Sequence, residues 1–278
     1  MTEPLIIRVR TTASSDAAYA ALTQPDRLTA WFAGKAEVEL PQRYEFWGPS
    51  IPEGDAPHQR LLEVGENRLS FAWLLDGVET TTEIAVGTDN DHTIITVTQS
   101  HFDFNEMMTG SSIRGVLQTF WALALANLVD YLEDRARTPG ADLTSSALTA
   151  TVDIDAPADR VYDSLIASEE VSQWFGYPVE IEPRVGGRFA LGGIENNPQP
   201  ALIVDLVPGE RVSVDWGHGG ISTWELDGSD GKTRLTLVSS GFDPDNPPYA
   251  AWMGILAGLA ELRRYHEIEN WTPLAVAA

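Results

Sequence analysis

Ala13–Phe32 reads A-S-S-D-A-A-Y-A-A-L-T-Q-P-D-R-L-T-A-W-F, and 143 residues later Ala156–Phe175 reads A-P-A-D-R-V-Y-D-S-L-I-A-S-E-E-V-S-Q-W-F. Asp16, Tyr19, Leu22, Trp31 and Phe32 recur as Asp159, Tyr162, Leu165, Trp174 and Phe175. A long-period repeat governs how everything else is read, because each copy must find its own partners for burial. Two copies are too few for a solenoid and each half is domain-sized, so the repeat predicts two like domains in tandem. The boundaries expected are 1–137 for the first domain, 138–146 for a linker and 147–278 for the second.

The bulk numbers fit that reading and exclude several function classes. Of 278 residues, 43% are hydrophobic and 21% charged, values of a globular chain large enough for two buried cores. There is no cysteine, which rules out disulfides, thiolate metal sites and cysteine nucleophiles. The start, M-T-E-P-L-I-I-R-V-R, holds no long apolar run, so no signal peptide or membrane insertion is expected and the cytoplasm is the default location. Net charge is −23. Split at Leu143, the halves carry −11 and −12, so the acidity is spread over the surface and not held in a tail. Such a surface repels nucleic acid and anionic headgroups and favours solubility.

Along the chain, Leu5–Arg10 alternates as a first strand. Ser14, Ser15 or Asp16 can cap a short helix ending near Leu22, and Pro25 opens a second through Leu28 to Trp31. Six further strands are expected, near residues 36–40, 44–47, 58–64, 68–74, 79–86 and 93–99, the last reading T-I-I-T-V-T-Q. A helix starting near Ser111 or Ser112 places Leu117, Phe120, Trp121, Ala124, Leu128, Tyr131 and Leu132 on one wide apolar face. Arg135–Ser146, with Pro-Gly and small polar residues, reads as the linker.

The second half repeats the order and ends in a helix from Pro247 or Pro248 that carries Trp252, Ile255, Leu256, Leu259 and Leu262. The offset between halves holds at 143 through Trp73/Trp216, becomes 140 at Thr96/Thr236 and 131 at Trp121/Trp252. The expected fold class is α+β: two tandem helix-grip domains. In each, a curved antiparallel sheet wraps a long C-terminal helix and two short helices close one end.

The second half resembles the Hsp-90 ATPase activator homologue (Aha-like) family of the START/Bet v-like (SRPBCC) superfamily. The resemblance rests on the 156–175 stretch, V-E-I-E-P-R-V-G-G-R-F at 179–189 and G-K-T-R-L-T-L-V-S-S-G-F at 231–242. The first half looks like a diverged copy: it keeps A-S-S-D-A-A-Y…W-F but has L-P-Q-R-Y-E-F where the second has P-R-V-G-G-R-F. What the resemblance implies is a cavity-bearing domain for small hydrophobic molecules; superfamily relatives include lipid carriers, aromatic polyketide cyclases and ring-hydroxylase subunits. Function on such a fold is argued from the site.

Nine tryptophans are many for this length. They serve as core anchors or as the walls of an aromatic-lined cavity between sheet and C-terminal helix. The lining expected is Trp31, Phe32, Trp47, Trp73 and Trp121 in the first half, and Trp174, Phe175, Trp216, His218, Trp224 and Trp252 in the second. An alternative is a cyclase- or dehydratase-like enzyme using His101 or His218 with Asp103 or Glu106 as acid and base. The halves do not share a histidine, which argues against a catalytic site duplicated with the fold. Arg184 and Arg188 flank the V-G-G turn and are candidates to hold a ligand carboxylate. No phosphate-binding loop, dinucleotide fingerprint, zinc-protease or serine-hydrolase motif is present, and no metal or cofactor is expected. The partner expected is therefore a small apolar ligand; a protein-interaction module with an acidic face for a chaperone or regulator is the third reading. Nothing in the sequence signals an oligomeric state.

Overall fold

The structure, a computed structural model, describes residues 4–100 and 113–276. Two compact units emerge. The first comprises Met1–Thr144, Tyr249–Ala257 and Leu274–Ala278; the second comprises Ser145–Pro248 and Gly258–Pro273.

The first unit opens with β1 (Leu5–Thr11), α1 (Ser15–Thr23) and α2 (Pro25–Trp31). Ser14 caps α1, its Oγ accepting from the Ala17 N–H at 3.2 Å. Pro25 stands in the first turn of α2, where a helix has no use for its missing N–H. Next come β2 (Lys35–Glu39), β3 (Arg43–Trp47), β4 (Gln59–Gly65), β5 (Arg68–Leu75), β6 (Val78–Asp89) and β7 (His92–Gln99). A short 3-10 turn at Ile113–Val116 leads into α3 (Leu117–Leu132). The sheet runs β1-β7-β6-β5-β4, antiparallel throughout, while β2 and β3 form a separate pair. The break between β3 and β4 has a side-chain bridge: buried Gln59 accepts the Phe46 N–H at 3.1 Å, in place of a ladder bond.

The second unit contains β8 (Leu148–Ile154), α4 (Ala158–Ile166), α5 (Ser168–Phe175), β9 (Val179–Ile181), β10 (Arg188–Leu191), β11 (Ala201–Val207), β12 (Arg211–Asp215), β13 (Ile221–Ser229) and β14 (Lys232–Ser240). All seven strands join one antiparallel sheet, β8-β14-β13-β12-β11-β10-β9. The final helix, α6 (Tyr249–Glu267), is divided at Ala257/Gly258 between the two compact units. Burial along β8 alternates strictly, one apolar face in and one out. Both sheets carry a bulge on the equivalent strand, between Leu61 and Glu63 and between Ile203 and Asp205, and a bulge bends and twists its strand. Each unit is a helix-grip domain, as the repeat predicts.

The duplication extends to single hydrogen bonds. Trp31 Nε1 donates to the Ala21 carbonyl at 3.0 Å, and Trp174 Nε1 to the Ser164 carbonyl at 2.7 Å. Thr93 Oγ1 donates to the Ala13 carbonyl and Thr233 Oγ1 to that of Ala156, each at 2.7 Å. At the far end of the long helix, Glu133 accepts from the Thr12 N–H and Glu267 from the Asp155 N–H. Thr12 and Asp155 are 143 apart, whereas the two glutamates are 134 apart. The anchored register of the long helices thus differs by three residues from the 131 that pairs Trp121 with Trp252. One near-turn of helix keeps the same face, so tryptophan matching alone does not fix the register.

Candidate functional site

The inner faces of the two sheets are the natural place to look, and they are filled differently. In the first unit, eight rings form one connected cluster: Trp31, Phe32, Tyr44, Phe46, Phe71, Trp73, Phe120 and Trp121. Phe46, Phe71 and Trp73 are wholly buried, and Phe32 stacks on Trp121 with centroids 5.8 Å apart. Tyr44 donates its hydroxyl to the Leu22 carbonyl at 3.1 Å; burial, with the Tyr19 phenol as a smaller contributor, pushes its pKa well up. Gln99 accepts from both Thr82 Oγ1 and Trp121 Nε1, which gives the cluster a polar seam. The expected lining residues Phe32, Trp73 and Trp121 therefore meet, and with their neighbours they fill the grip.

At the equivalent positions the second unit has less to fill with. Tyr44 is replaced by Gly187 and Phe71 by Val214, while Phe46 and Trp73 are retained as Phe189 and Trp216. Gly187 is dictated by the turn: a Cβ there would lie 2.1 Å from the Glu182 carbonyl oxygen. Phe189 pairs with Ala201 across β10 and β11 and so shares that residue's inner face, yet it is only half-buried, like Trp216. Their rings meet edge to face at 5.3 Å, and Trp216 Nε1 donates to Ser222 Oγ at 3.0 Å. Leu191, two residues beyond Phe189 on the same face, is 43% exposed. Phe189, Leu191 and Trp216 are thus inner-face apolar groups that reach solvent.

Trp224 occupies a buried inner position on β13, and Trp174 and Phe175 close the opposite side against α6 at Gly258, where a Cβ would be 3.3–3.5 Å from their rings. His218 is exposed on the 3-10 turn Gly217–Gly219 that follows Trp216 and makes no hydrogen bond or ion pair among the described residues. His101, Asp103 and Glu106 lie outside the described residues. Trp47 alternates away from Tyr44 and Phe46, to the outer face of β3, with Lys35 Nζ 6.0 Å from its ring. Trp252, expected in the second grip, is buried in Tyr249–Ala257, the stretch that groups with the first unit. Its helical spacing was legible; the division of α6 was not.

The two arginines proposed for a ligand carboxylate are already engaged. Arg188 donates to Glu182 through Nη2 at 2.7 Å and Nε at 3.2 Å, its own N–H reaches the same carboxylate at 3.0 Å, and Arg184 adds a weaker contact. The Arg188 side chain, then its N–H, lowers the Glu182 pKa to about 2. These four bonds brace the V-G-G turn and give both arginines an intramolecular carboxylate partner. What sequence reasoning missed was Phe189 and Leu191, whose signal was the register of β10 against β11.

A separate cavity of about 480 Å³ lies in the first unit, off the sheet. It is lined by the end of α2 and the residues after it, by Phe120, Leu123, Ala124 and Asn127 of α3, by residues 137–141 and by Met253. The 138–146 stretch is held down beside it. Asn127 grips Thr138 through two bonds of 2.9 Å, Nδ2 to its carbonyl and Oδ1 from its N–H, and Leu143 N–H donates to the Pro49 carbonyl.

Residues 155–265 match the family model of activator of Hsp90 ATPase homolog 1-like proteins. The matched region contains the V-G-G turn. Among curated proteins nothing matches. Among solved structures, DynU16, from the dynemicin biosynthetic locus, is 16% identical over 94% of this chain and 97% of its own, with a TM-score of 0.40. CalU16 from Micromonospora echinospora is 22% identical over 51% and 79%, TM-score 0.38. The protein EF2215 from Enterococcus faecalis is 20% identical over 46% and 75%, TM-score 0.40. Among the described residues, no helix is long and apolar enough to cross a membrane, and no three His, Asp or Glu side chains gather as a cation site.

Proposed function

We propose that the second unit binds a small apolar or aromatic molecule in its grip, with Phe189, Leu191 and Trp216 at the mouth, and that the first unit is its filled, structural counterpart. The observation that carries this is the contrast at matched positions. Phe46 and Trp73 are 0% exposed inside an eight-ring cluster, whereas Phe189 and Trp216 stand half-exposed on the equivalent inner surface, beside a glycine and a valine. Half-exposed apolar groups on a concave face are stabilised by covering them: about 25 cal/mol per Å² of apolar area removed from water. The family match to 155–265 covers most of this unit, with Tyr249–Ala257 of the first, and supports the same choice.

Of the residues named for the catalytic alternative, His218 is exposed and without a carboxylate partner among the described residues, while His101, Asp103 and Glu106 lie outside them. Native mass spectrometry of freshly purified protein, with extraction and identification of what co-purifies, tests the binding proposal. The expected result is a small apolar adduct that is reduced or lost in Trp216→Ala and kept in Trp47→Ala. An adduct that survives Trp216→Ala and Phe189→Ala together would place the ligand elsewhere.

A further inference from the structure

We infer that the first unit carries a second, distinct site, the cavity between α2, α3 and residues 137–141, and that it takes a small aromatic carboxylate. Three observations converge. The cavity has a usable size, about 480 Å³, within the range of pockets that hold small molecules. Its floor is apolar and fixed: Trp31, Phe120, Leu123 and Met253 are all buried, and Trp31 is tied by its indole N–H to the Ala21 carbonyl. Its rim has one charged group, Arg137.

In a chain of net charge −23, most surface arginines find carboxylates: Arg60, Arg68, Arg188, Arg211 and Arg234 all pair within 3.0 Å, and Arg137, like Arg27 on α2, does not. Arg137 makes no ion pair or hydrogen bond among the described residues, although it is held in place by its neighbour. Thr138 is 2% exposed and gripped on both sides of its peptide by Asn127, which fixes the backbone from which the guanidinium projects. Thr138 also lines the cavity, and its hydroxyl is buried without a partner. A buried unpaired hydroxyl and an unpaired guanidinium beside an apolar floor are the complement of a ring bearing a carboxylate. The planar fork of arginine matches the two carboxylate oxygens, and the ring covers the floor.

The site is independent of the second unit's grip, and its test separates the two. Isothermal titration calorimetry at low ionic strength compares 2-naphthoate with 2-naphthylmethanol, the same ring with and without the charge. The acid should bind about tenfold more tightly than the alcohol, the worth of a charge-assisted pair of hydrogen bonds at a partly exposed site. Arg137→Ala should bring the two to parity, Arg137→Lys should keep part of the preference, and Ala124→Phe should remove the binding event that prefers the acid, leaving only what the second unit's grip takes up. Trp216→Ala should leave the preference intact. The proposal is overturned if the wild-type protein binds neither compound, if it binds both alike, or if Arg137→Ala retains the preference while circular dichroism shows the variant folded.

Discussion

Trp31 and Trp174 are the residues on which the repeat turns, and the structure gives them a structural task. Each indole N–H ties the end of the second short helix to a carbonyl of the first. Trp31→Phe and Trp174→Phe should each lose about 1 kcal/mol from the missing hydrogen bond, beyond any change in packing. Urea denaturation followed by circular dichroism measures both. Trp73 and Trp216 occupy matched positions with opposite consequences. Trp73→Ala empties a fully buried site and should cost about 3–5 kcal/mol, whereas Trp216→Ala, half-exposed, should cost markedly less and weaken ligand binding instead. Glu182 supplies a pH signature. Its folded pKa, held down to about 2 by Arg188, lies below the ordinary 4.5. The stability it contributes is therefore present above pH 4.5 and lost as the pH falls towards 2. Thermal denaturation of Glu182→Gln should show that loss of stability reduced between pH 4.5 and 2.

At the scale of elements, the long helices and the sheet edges decide what each unit tolerates. His266, near the end of α6, has its Nε2 buried without a partner; burial, then Arg160, lowers its pKa from 6.5, with Glu170 acting in opposition. A depressed histidine pKa favours the neutral form in the fold, so stability present above pH 6.5 falls on acidification. His266→Phe should leave stability at pH 8 nearly unchanged and flatten the decline between pH 7 and 5, read by chemical denaturation. At the edge of the first sheet, residues 274–276 cover β1: Arg10 N–H donates to the Leu274 carbonyl, Val276 N–H to that of Arg8, and Leu274 is buried. Truncation after Pro273 uncovers those backbone groups. It should lower the melting temperature and raise self-association measured by sedimentation velocity.

At the scale of the molecule, the helix-grip architecture was legible because it is written in local chemistry repeated twice. Ser14 and Pro25 punctuate the short helices, and alternation along β7 and β8 names the inner faces. The Trp-Phe pairs returned at fixed spacing because each copy needs the same indole-to-carbonyl bond. The site was only partly legible. The richness in tryptophan was plain, but whether a ring fills a core or lines a mouth depends on what faces it across the sheet, and Tyr44 against Gly187 decides that through non-local contacts. Trp47 was misleading for a simpler reason, a one-residue shift that turns a side chain to the other face. Arg137 carried no sequence signal at all: that it has no ion pair among the described residues is visible only once residues 137–141 are laid against α3.

The central claim is that the second unit's grip is open and the first unit's is filled. The most direct measurement is the set of indole N–H signals in a ¹H–¹⁵N spectrum, assigned by single Trp→Phe variants, during titration with 2-naphthylmethanol in the Arg137→Ala, Ala124→Phe background that closes the first unit's cavity. The account predicts that the Trp216 signal, hydrogen-bonded to Ser222, moves with saturable dependence while those of Trp73 and Trp121 stay fixed. Movement of Trp73 and Trp121 with Trp216 unchanged would contradict it.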